Sequence, residues 1–195
     1  MPELEFHPLT PARWADLEKL FGPRGATGGC WCMYFRLPGK AYEQNKGEVN
    51  RRMLKGLVDS GEPPGILAYA GAEPVGWCSI APRPEYARLE TSRILKPVDE
   101  RPVWSVVCFF VAKAYRRQGV TVRLLRAAVE YAVSKGAQVV EGYPLDPPQG
   151  AVPDVFAYHG LLETFRQAGF AEVERRSPTR PIVRLELMPG KGAAG

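Results

Sequence analysis

A glycine and several basic and polar residues lie between the most apolar stretch of the sequence and an amphipathic one. Residues 103–111 read VWSVVCFFV, and Arg116, Arg117, Gln118 and Gly119 come shortly after, just before a helical pattern. A helix N-terminus leaves about four backbone N–H groups unpaired and carries roughly half a positive charge. Glycine lets a phosphate approach the backbone, and arginines add positive charge at the rim. The spacing therefore predicts a phosphate-binding loop.

The same residues have a second interpretation, a strand-to-helix turn whose arginines are solvated. The context favours the anion site, because the loop joins a buried strand directly to an amphipathic helix. The apolar residues of Val103–Val111 do not alternate, which predicts a central strand covered on both faces. A helix is predicted over Gly119–Lys135, with apolar residues on one face and polar residues on the other.

The rest of the chain supplies the elements of an α/β domain. Apolar or alternating stretches predict strands, and stretches with a helical period and capping residues predict helices. The other predicted strands are Glu3–His7, Ile66–Ala70, Pro74–Ala81, Gln138–Tyr143, Phe170–Arg176 and Ile182–Leu187. The other predicted helices are Pro11–Leu20, Ala41–Ser60 and Val155–Ala168. Proline-rich connections are predicted over Pro82–Arg101, with one short helix or edge strand, and over Pro144–Pro153.

Length and composition are those of an ordinary globular domain. The chain has 195 residues, 45% hydrophobic and 24% charged. We expect one domain over residues 1–188 and a flexible tail over 189–195. The longest apolar run is about half the ~20 residues of a membrane-spanning helix, so no membrane partner is expected. The N-terminal residues lack a secretory pattern, and the cysteines suit a reducing compartment, so a cytoplasmic location is expected.

The net charge of +5 arises from 26 Lys and Arg against 21 Asp and Glu. This excess favours an anionic partner, although the basic residues are spread along the chain. Arg175, Arg176 and Arg180 lie on or beside the last predicted hairpin. Solvated charges are expected there, with contact to an acidic substrate as an alternative. Aromatic and basic residues do not interleave in the manner of RNA-binding motifs, so nucleic acid is not expected as a partner.

The loop and its position resemble the GNAT acetyltransferase superfamily. The signature of that family is Gln or Arg, two residues, Gly, one residue, and Gly or Ala, between the fourth strand and the third helix. Arg116, Gly119 and Thr121 occupy these positions, and Val111 ends the strand. Thr121 departs from the small-residue rule, although its hydroxyl can donate to a phosphate oxygen. The order of elements, including Gly169-Phe170 before a terminal hairpin, extends the resemblance over most of the chain.

The resemblance implies an α/β (α+β layered) fold, with a mixed central sheet of six to seven strands flanked by about four helices. It implies an N-acetyltransferase in which a primary amine, on a small molecule or a peptide, attacks acetyl-CoA directly in a ternary complex. A backbone N–H of the fourth strand would polarise the thioester carbonyl. A homodimer is expected by analogy with relatives. The implied CoA-binding residues are Phe109, Phe110, Val111, Arg116, Arg117, Gln118, Gly119, Val120 and Thr121.

The residues that would move protons are harder to identify. Many family members have a tyrosine as acid four residues before the terminal Gly-Phe pair, and this chain has Phe165 there. Tyr158 and His159, near the start of the same predicted helix, are the candidate acids, with structural roles as the alternative. Since the fourth strand has no carboxylate, Glu141 and Asp146 are the candidate bases, acting directly or through water. Burial of Glu141 would raise its pKa, whereas a solvent-facing Glu141 would be structural.

The glycine-interrupted segment Phe21–Lys40 contains a group of aromatic residues that we assign to the acceptor pocket or, alternatively, to the core. They are Trp31, Tyr34 and Phe35, together with Met33. Cys30 and Cys32 lie in the same segment, but a spacing of one residue does not match structural zinc sites, so no metal is predicted.

Two other functions remain open from the sequence. The first is a domain that binds acyl-CoA without turnover, as a sensor or a partner-binding module, which the phenylalanine at position 165 suggests. The second is a different phosphate-binding or nucleotide-binding domain. The loop does not favour the second, because it lacks the glycine spacing and the lysine of dinucleotide and NTP sites. The absent acid and base weigh little against catalysis, because aligned reactants need limited proton transfer.

Overall fold

One seven-stranded mixed sheet runs through the molecule in the order β1-β2-β3-β4-β5-β7-β6. The computed structural model describes residues 3–147 and 157–187 of the chain. Strands β4 and β5 run parallel, and the other neighbours run antiparallel. The predicted fold class is therefore confirmed. The strands are β1 (Glu5–Pro8), β2 (Gly65–Ala70), β3 (Glu73–Pro82), β4 (Trp104–Val111), β5 (Val139–Gly142), β6 (Ala171–Arg175) and β7 (Pro181–Glu186).

Six helices occur in the described residues, rather than the four predicted. They are α1 (Trp14–Phe21), α2 (Gly39–Asn45), α3 (Glu48–Asp59), α4 (Ala87–Glu90), α5 (Val120–Ser134) and α6 (Leu162–Gln167). Single 3-10 turns occupy Pro11–Arg13, Arg83–Glu85, Lys113–Tyr115 and Ala157–His159. In these ranges no helix has the length and apolar character needed to cross a membrane.

Glycines in the left-handed conformation account for two of the differences. Gly47, with a φ of +86°, separates α2 from α3, so the single helix predicted over Ala41–Ser60 is wrong. Gly160, with a φ of +75°, separates the 3-10 turn Ala157–His159 from α6. Residues of L configuration rarely adopt such angles within a helix. The first part of the helix predicted from residue 155 and the tail 189–195 lie outside the described residues.

Both faces of the sheet are covered by helices, as the continuous apolar character of β4 predicted. Ile66 and Ala68 of β2 belong to a core that includes α5 and α6. Leu67 and Tyr69 alternate with them and belong to a second core that includes α1 and α3. Successive strand residues point to opposite faces, so the two cores lie on opposite sides of the sheet. We call the second side the α1/α3 face.

Strand β4 contains a bulge near its middle. Ser79 of β3 pairs with Cys108, whereas the next residue, Ile80, pairs with Val106. Val107 is therefore the extra residue of the bulge, a feature that bends a strand and increases its twist.

The bulge coincides with the place where β4 and β5 separate. The two strands pair over three positions, from Trp104 with Val140 to Val106 with Gly142. Strand β5 ends there, while β4 continues to Val111. We call the resulting opening, between Val107–Val111 and the chain that follows β5, the splay.

Candidate functional site

The loop between β4 and α5 has the geometry of an anion site. Arg117 and Gly119 both have left-handed backbone angles, with φ of +59° and +74°. Helix α5 begins directly after them at Val120, and no side chain caps its first turn. A left-handed non-glycine residue costs on the order of 1 kcal/mol or more and persists where surrounding structure requires it. The loop thus presents the first amide groups of a 15-residue helix without a competing side-chain cap.

Side chains of the loop hold its shape and leave charge at its surface. Arg116 is half-buried, and its Nε donates a hydrogen bond of 3.0 Å to the carbonyl of Val111. Gln118 donates from Nε2 to the carbonyl of Ala114 at 2.7 Å. Arg117 is exposed. An anion at the helix terminus would therefore meet a braced loop with a guanidinium in solvent beside it.

The remaining two predicted residues of the loop lie in the first turn of α5. The side chain of Val120 is buried in the core, so its amide group is the part available to a ligand. Thr121 is half-buried, and its position is compatible with the hydroxyl role expected for it.

The edge of β4 offers backbone groups to the splay. The amide of Ala112 donates to Val75 of β3, so Ala112 turns its backbone toward β3. Because successive residues of a strand alternate, Phe109 turns its N–H and C=O groups toward the splay, and Val111 offers its N–H group there. The carbonyl of Val111 already accepts the hydrogen bond from Arg116 Nε. The side chain of Phe109 does not lie along this edge: its ring packs on that of Phe165, with 6.0 Å between the centroids. Backbone pairing with a ligand is thus the contact that this stretch can make.

Phe110, the third predicted residue of the strand, lies on the α1/α3 face. Its ring meets Phe21 of α1 edge to face, with 5.5 Å between centroids. Its side chain is half-buried there.

The position of the family's usual acid is part of the core. Phe165 is fully buried and lies between β4 and β5. A Cβ atom added to Gly142 would lie 2.1 Å from the ring of Phe165. Glycine at position 142 therefore makes room for a phenylalanine that cannot donate a proton.

His159 lies in the 3-10 turn Ala157–His159 and closes one side of the splay. Its side chain is buried and forms a hydrogen bond with the backbone of Val107. Nη2 of Arg180 lies 3.5 Å from its Nδ1 atom. Burial and, secondarily, the charge of Arg180 lower the pKa of His159 to about 2. The imidazole is therefore neutral at ordinary pH, which favours the structural role over that of an acid.

Tyr158 precedes His159 and is half-buried in the same turn. Its ring lies 3.9 Å from that of His159 and 6.2 Å from that of Tyr34, by centroids. Burial and the neighbouring Tyr34 and Cys108 raise its pKa, and the charge of Arg180 offsets this in part. The phenol therefore keeps its proton at neutral pH beside a residue of β4, as a proton donor must.

Glu141 is not solvent-facing, so that alternative was wrong: the residue is 1% exposed. Its Oε1 accepts hydrogen bonds from Arg83 Nη1 at 3.0 Å and from the Tyr143 hydroxyl at 2.6 Å. Its Oε2 accepts one from Arg184 Nε at 2.7 Å, and Arg184 also holds Asp99 through both Nη atoms. We call these five residues the paired cluster. Both oxygens of Glu141 are occupied by guanidinium groups, which leaves it poorly placed to accept a proton from an amine.

Asp146, the other candidate base, lies just after β5. Its carboxylate forms an ion pair of 2.8 Å with Arg175 of β6, and its amide donates to the carbonyl of Thr179. These contacts tie the chain after β5 to the terminal hairpin.

The four predicted acceptor residues divide between the core and the splay. Trp31 and Met33 are buried in the core of the α1/α3 face, which is the alternative that the sequence left open. Phe35 is buried with its ring 5.5 Å from that of His159. Tyr34 is half-buried and reaches both Tyr158 and, at 5.3 Å, Tyr42. Of the four, Tyr34 is best placed to meet a substrate. We call Tyr34, Tyr42 and Tyr158 the tyrosine cluster.

Two arginines lie beside the tyrosine cluster. For Arg180 the sequence left contact with an acidic substrate as an alternative, and Arg88 was missed by sequence reasoning. Arg180 was expected to be solvated, and this was wrong: it is half-buried, and its Nη2 donates to the carbonyl of Tyr143 at 3.2 Å. Burial lowers its pKa. The guanidinium of Arg88 lies 3.9 Å from the ring centre of Tyr34. Nothing in the local sequence distinguishes these arginines from exposed ones, because their burial depends on how distant loops pack.

The four cysteines are free thiols. The Sγ atoms of Cys32 and Cys108 lie 3.7 Å apart on the α1/α3 face. Across the two described ranges, no group of three or more His, Cys, Asp or Glu is placed to hold a metal ion.

Two surface clefts lie away from this arrangement. One of about 570 Å³ opens between α1 and the start of α3, beside Glu18 and Arg51. Another of about 860 Å³ is lined by Arg101, Trp104 and Gln138, at the end of β4 opposite the loop. Neither contains the uncapped helix start or the tyrosine cluster, so we place the chemistry at the splay on geometry rather than on cleft size.

The chain is similar to a known family and to solved structures. The model of the acetyltransferase (GNAT) family matches residues 31–145, more than half of the chain, including β4, the loop and α5. No curated protein sequence matches the chain.

Solved structures share the fold at low sequence identity. An acetyltransferase of the GNAT family from Listeria monocytogenes superposes with a TM-score of 0.57 at 9% identity, covering 95% of this chain and 96% of that one. The PaiA N-acetyltransferase of Thermoplasma acidophilum, solved with coenzyme A, gives 0.53 at 14%, covering 95% and 99%. NAA60 of Arabidopsis thaliana, solved with acetyl-CoA, gives 0.51 at 13%, covering 95% and 100%. At these identities the likeness establishes the fold.

Proposed function

The chain belongs to the acetyltransferase (GNAT) family, and from that premise we propose that it transfers an acetyl group from acetyl-CoA to a primary amine. The amine attacks the thioester carbonyl directly, while both substrates are bound. The C–S bond breaks, an amide forms, and CoA leaves as the free thiol. The proposal takes acyl-CoA as the donor and leaves the acceptor to be identified by its chemistry.

The observation that supports the proposal most strongly is an open strand edge leading to an uncapped helix. Phe109 and Val111 turn backbone groups into the splay, and α5 starts without a side-chain cap one loop later. A pantetheine arm carries amides that can pair with a strand edge, and a pyrophosphate suits a helix N-terminus. The residues present thus fit both parts of a CoA ester.

The thioester would lie beside Phe109, at the middle of the splay. A backbone N–H there would donate to the carbonyl oxygen as negative charge develops on it. The apolar rings of Phe109 and Phe165 below the strand edge exclude water from that side. Alignment of the two substrates would supply much of the rate enhancement.

We assign the proton donor role to Tyr158. It is a protonated phenol beside Cys108 of β4, whereas Phe165 cannot donate and His159 is neutral. We assign no proton transfer to Glu141, because its two oxygens already accept hydrogen bonds from Arg83, Arg184 and the Tyr143 hydroxyl. The incoming amine would then need to arrive neutral or lose its proton to water.

The test is calorimetric titration of the full chain with acetyl-CoA, comparing the native protein with Gly119→Glu. Glutamate there puts bulk and negative charge where the pyrophosphate should lie. We expect micromolar affinity that falls at least about 100-fold in the variant. Gly136→Glu is the matched control, because Gly136 also has a left-handed φ, of +83°, and lies just past the other end of α5. It should bind acetyl-CoA normally.

A native protein that binds no CoA ester would overturn the proposal. So would equal binding by Gly119→Glu, since the loop would then not be the donor site. The second candidate, a sensor that binds acyl-CoA without turnover, is favoured by Phe165 at the usual acid position. Release of free CoA thiol in the presence of an amine separates the enzyme from the sensor.

A further inference from the structure

Arginines that are buried or half-buried in this protein differ in whether they face a carboxylate. Among those that do, Arg36 faces Glu85, Arg83 faces Glu90 and Glu141, and Arg184 faces Asp99 and Glu141. Arg88 and Arg180 form no ion pair with a carboxylate in the described residues. A cation removed from water without a counter-charge is costly, so such residues usually have a use.

Arg88 and Arg180 both lie beside the tyrosine cluster. The guanidinium carbon of Arg88 is 3.9 Å from the centre of the Tyr34 ring and 5.6 Å from that of Tyr42. Arg180 Nη2 lies 3.5 Å from Nδ1 of His159, and the ring of His159 lies 3.9 Å from that of Tyr158. The two cations therefore lie beside one aromatic surface, the tyrosine cluster, and we call them the open pair.

Each guanidinium of the open pair has an unused donor. The Nε atoms of Arg88 and Arg180 are buried and have no hydrogen-bond partner within residues 3–147 and 157–187. Two N–H groups match the two oxygens of a carboxylate, and charge-assisted bonds of this kind are among the strongest in proteins.

The phosphates of acetyl-CoA lie too far away to be the anion that the open pair binds. Arg180 contacts His159, which bonds to the backbone of Val107. Val107 lies four residues before Val111, or about 13 Å along the strand, and the phosphate loop begins beyond Val111. An anion at the open pair therefore belongs to the acceptor, which approaches β4 beside the thioester.

We infer that the acceptor is an amino carboxylate, such as a free amino acid, whose carboxylate is bound by Arg88 and Arg180. This inference rests on the proposed function and names its substrate class. The amine nitrogen forms the new bond to the acetyl carbon and loses one proton, while the departing sulfur gains one. The open pair takes no part in bond making and fixes the orientation of the acceptor, with the tyrosine cluster against its side chain.

The test measures release of CoA thiol with matched sets of acceptors at saturating acetyl-CoA. Each set contains a standard amino acid, its primary amide, and the amine that lacks the carboxylate. We expect at least one amino acid to exceed both of the compounds that lack its carboxylate about tenfold or more in kcat/KM. If no amino acid exceeds its partners, including the case of no transfer to any of them, the inference is wrong.

Variants assign that preference to the open pair. Arg180→Met and Arg88→Met should each reduce the preference for the carboxylate at least tenfold, mainly through KM. The matched controls are Arg166→Met and Arg93→Met, which replace exposed arginines. These two variants should keep the preference for the carboxylate. A preference that persists in both open-pair variants would contradict the assignment.

Failure of this inference is distinguishable from failure of the proposed function. Every protein sample is also titrated with acetyl-CoA by calorimetry. Lack of acetyl-CoA binding by the native chain overturns both proposals together. Normal acetyl-CoA binding, combined with equal use of acceptors with and without the carboxylate, overturns the amino carboxylate alone. Folding of the variants is checked by circular dichroism, and Arg180→Lys tests whether charge without the planar donor set suffices.

Discussion

The paired cluster and the open pair show two ways in which one protein holds arginines out of water. In the paired cluster, burial would lower the pKa of Arg184, but the hydrogen bonds that it donates to Asp99 and Glu141 raise that pKa above its ordinary value. In the open pair, burial lowers the pKa of Arg180, and nearby phenols offset that only in part. The first group is electrostatically complete, and the second is not.

The locations of the two groups explain the difference. Glu141 and Arg184 face each other across β5 and β7, and Arg83 joins them from the connection between β3 and β4. That region holds the sheet together where β4 and β5 are still paired. The open pair lies where the strands have separated, beside Tyr34 and His159. Compensated charge thus lies where β4 and β5 are paired, and uncompensated charge lies where they have separated.

The largest effect that would test this contrast is expected from Arg184→Met. The substitution leaves Glu141 buried with one cation fewer and removes the bidentate partner of Asp99. Breaking a buried ion pair from one side costs roughly 3–5 kcal/mol. We expect urea unfolding to show a loss of that order in the free energy of unfolding. A loss below about 1 kcal/mol would mean that the paired cluster does not hold the sheet.

A second prediction concerns catalysis at the open end. Tyr158→Phe removes the proposed acid while keeping the ring that packs on His159. Proton transfer by a positioned side chain contributes about 100-fold or more, so kcat should fall by about that factor. Acetyl-CoA affinity should not change. Tyr131→Phe, which alters a tyrosine of α5 away from the splay, is the control. An unchanged kcat in Tyr158→Phe would show that the thiolate leaves without this residue.

A third prediction follows from the neutral His159. Its folded pKa of about 2 lies below the ordinary value of 6.5. Between these values the unfolded chain binds the extra proton, so stability is present above pH 6.5 and is lost as the pH falls below it. From pH 6.5 to 5 the loss should be about 2 kcal/mol. His159→Gln should show a smaller loss over this range in urea unfolding, and an identical pH dependence would contradict a buried neutral imidazole.

The smallest effect is expected for the stability of Arg180→Met. The native residue has no carboxylate partner in the described parts of the chain, so the substitution leaves no buried charge unpaired. We expect the free energy of unfolding to stay within about 1 kcal/mol of the native value. Measured beside Arg184→Met, this variant provides the sharpest form of the comparison. Equal destabilisation of the two variants would remove the distinction between the groups.

The fold and the loop were predictable because their signals are local. The strand over 103–111, Gly119 and the amphipathic helix are contiguous in sequence, and α5 begins and ends within one residue of the prediction. The split of the helix predicted over Ala41–Ser60 was missed, because a left-handed Gly47 is visible only once Gly29 packs against it. Glycine inside a helical pattern is otherwise tolerated at modest cost.

The charged groups were not predictable, because their partners are distant in sequence. Glu141 and Arg184 are 43 residues apart and meet through the register of β5 and β7. Arg88 and Arg180 are half-buried beside Tyr34 and the turn that contains Tyr158 and His159. Residue types reveal neither contact, since arginines at such positions are usually solvated.

The central claim is that the donor lies in the splay with its pyrophosphate at the start of α5. A crystal structure of the full chain with bound CoA tests it most directly. The account predicts pyrophosphate oxygens about 3 Å from backbone N–H groups of Gly119–Thr121, and a pantetheine arm along Val107–Val111. CoA bound in one of the two surface clefts, or against the tyrosine cluster, would contradict this claim if the loop at Gly119 were empty.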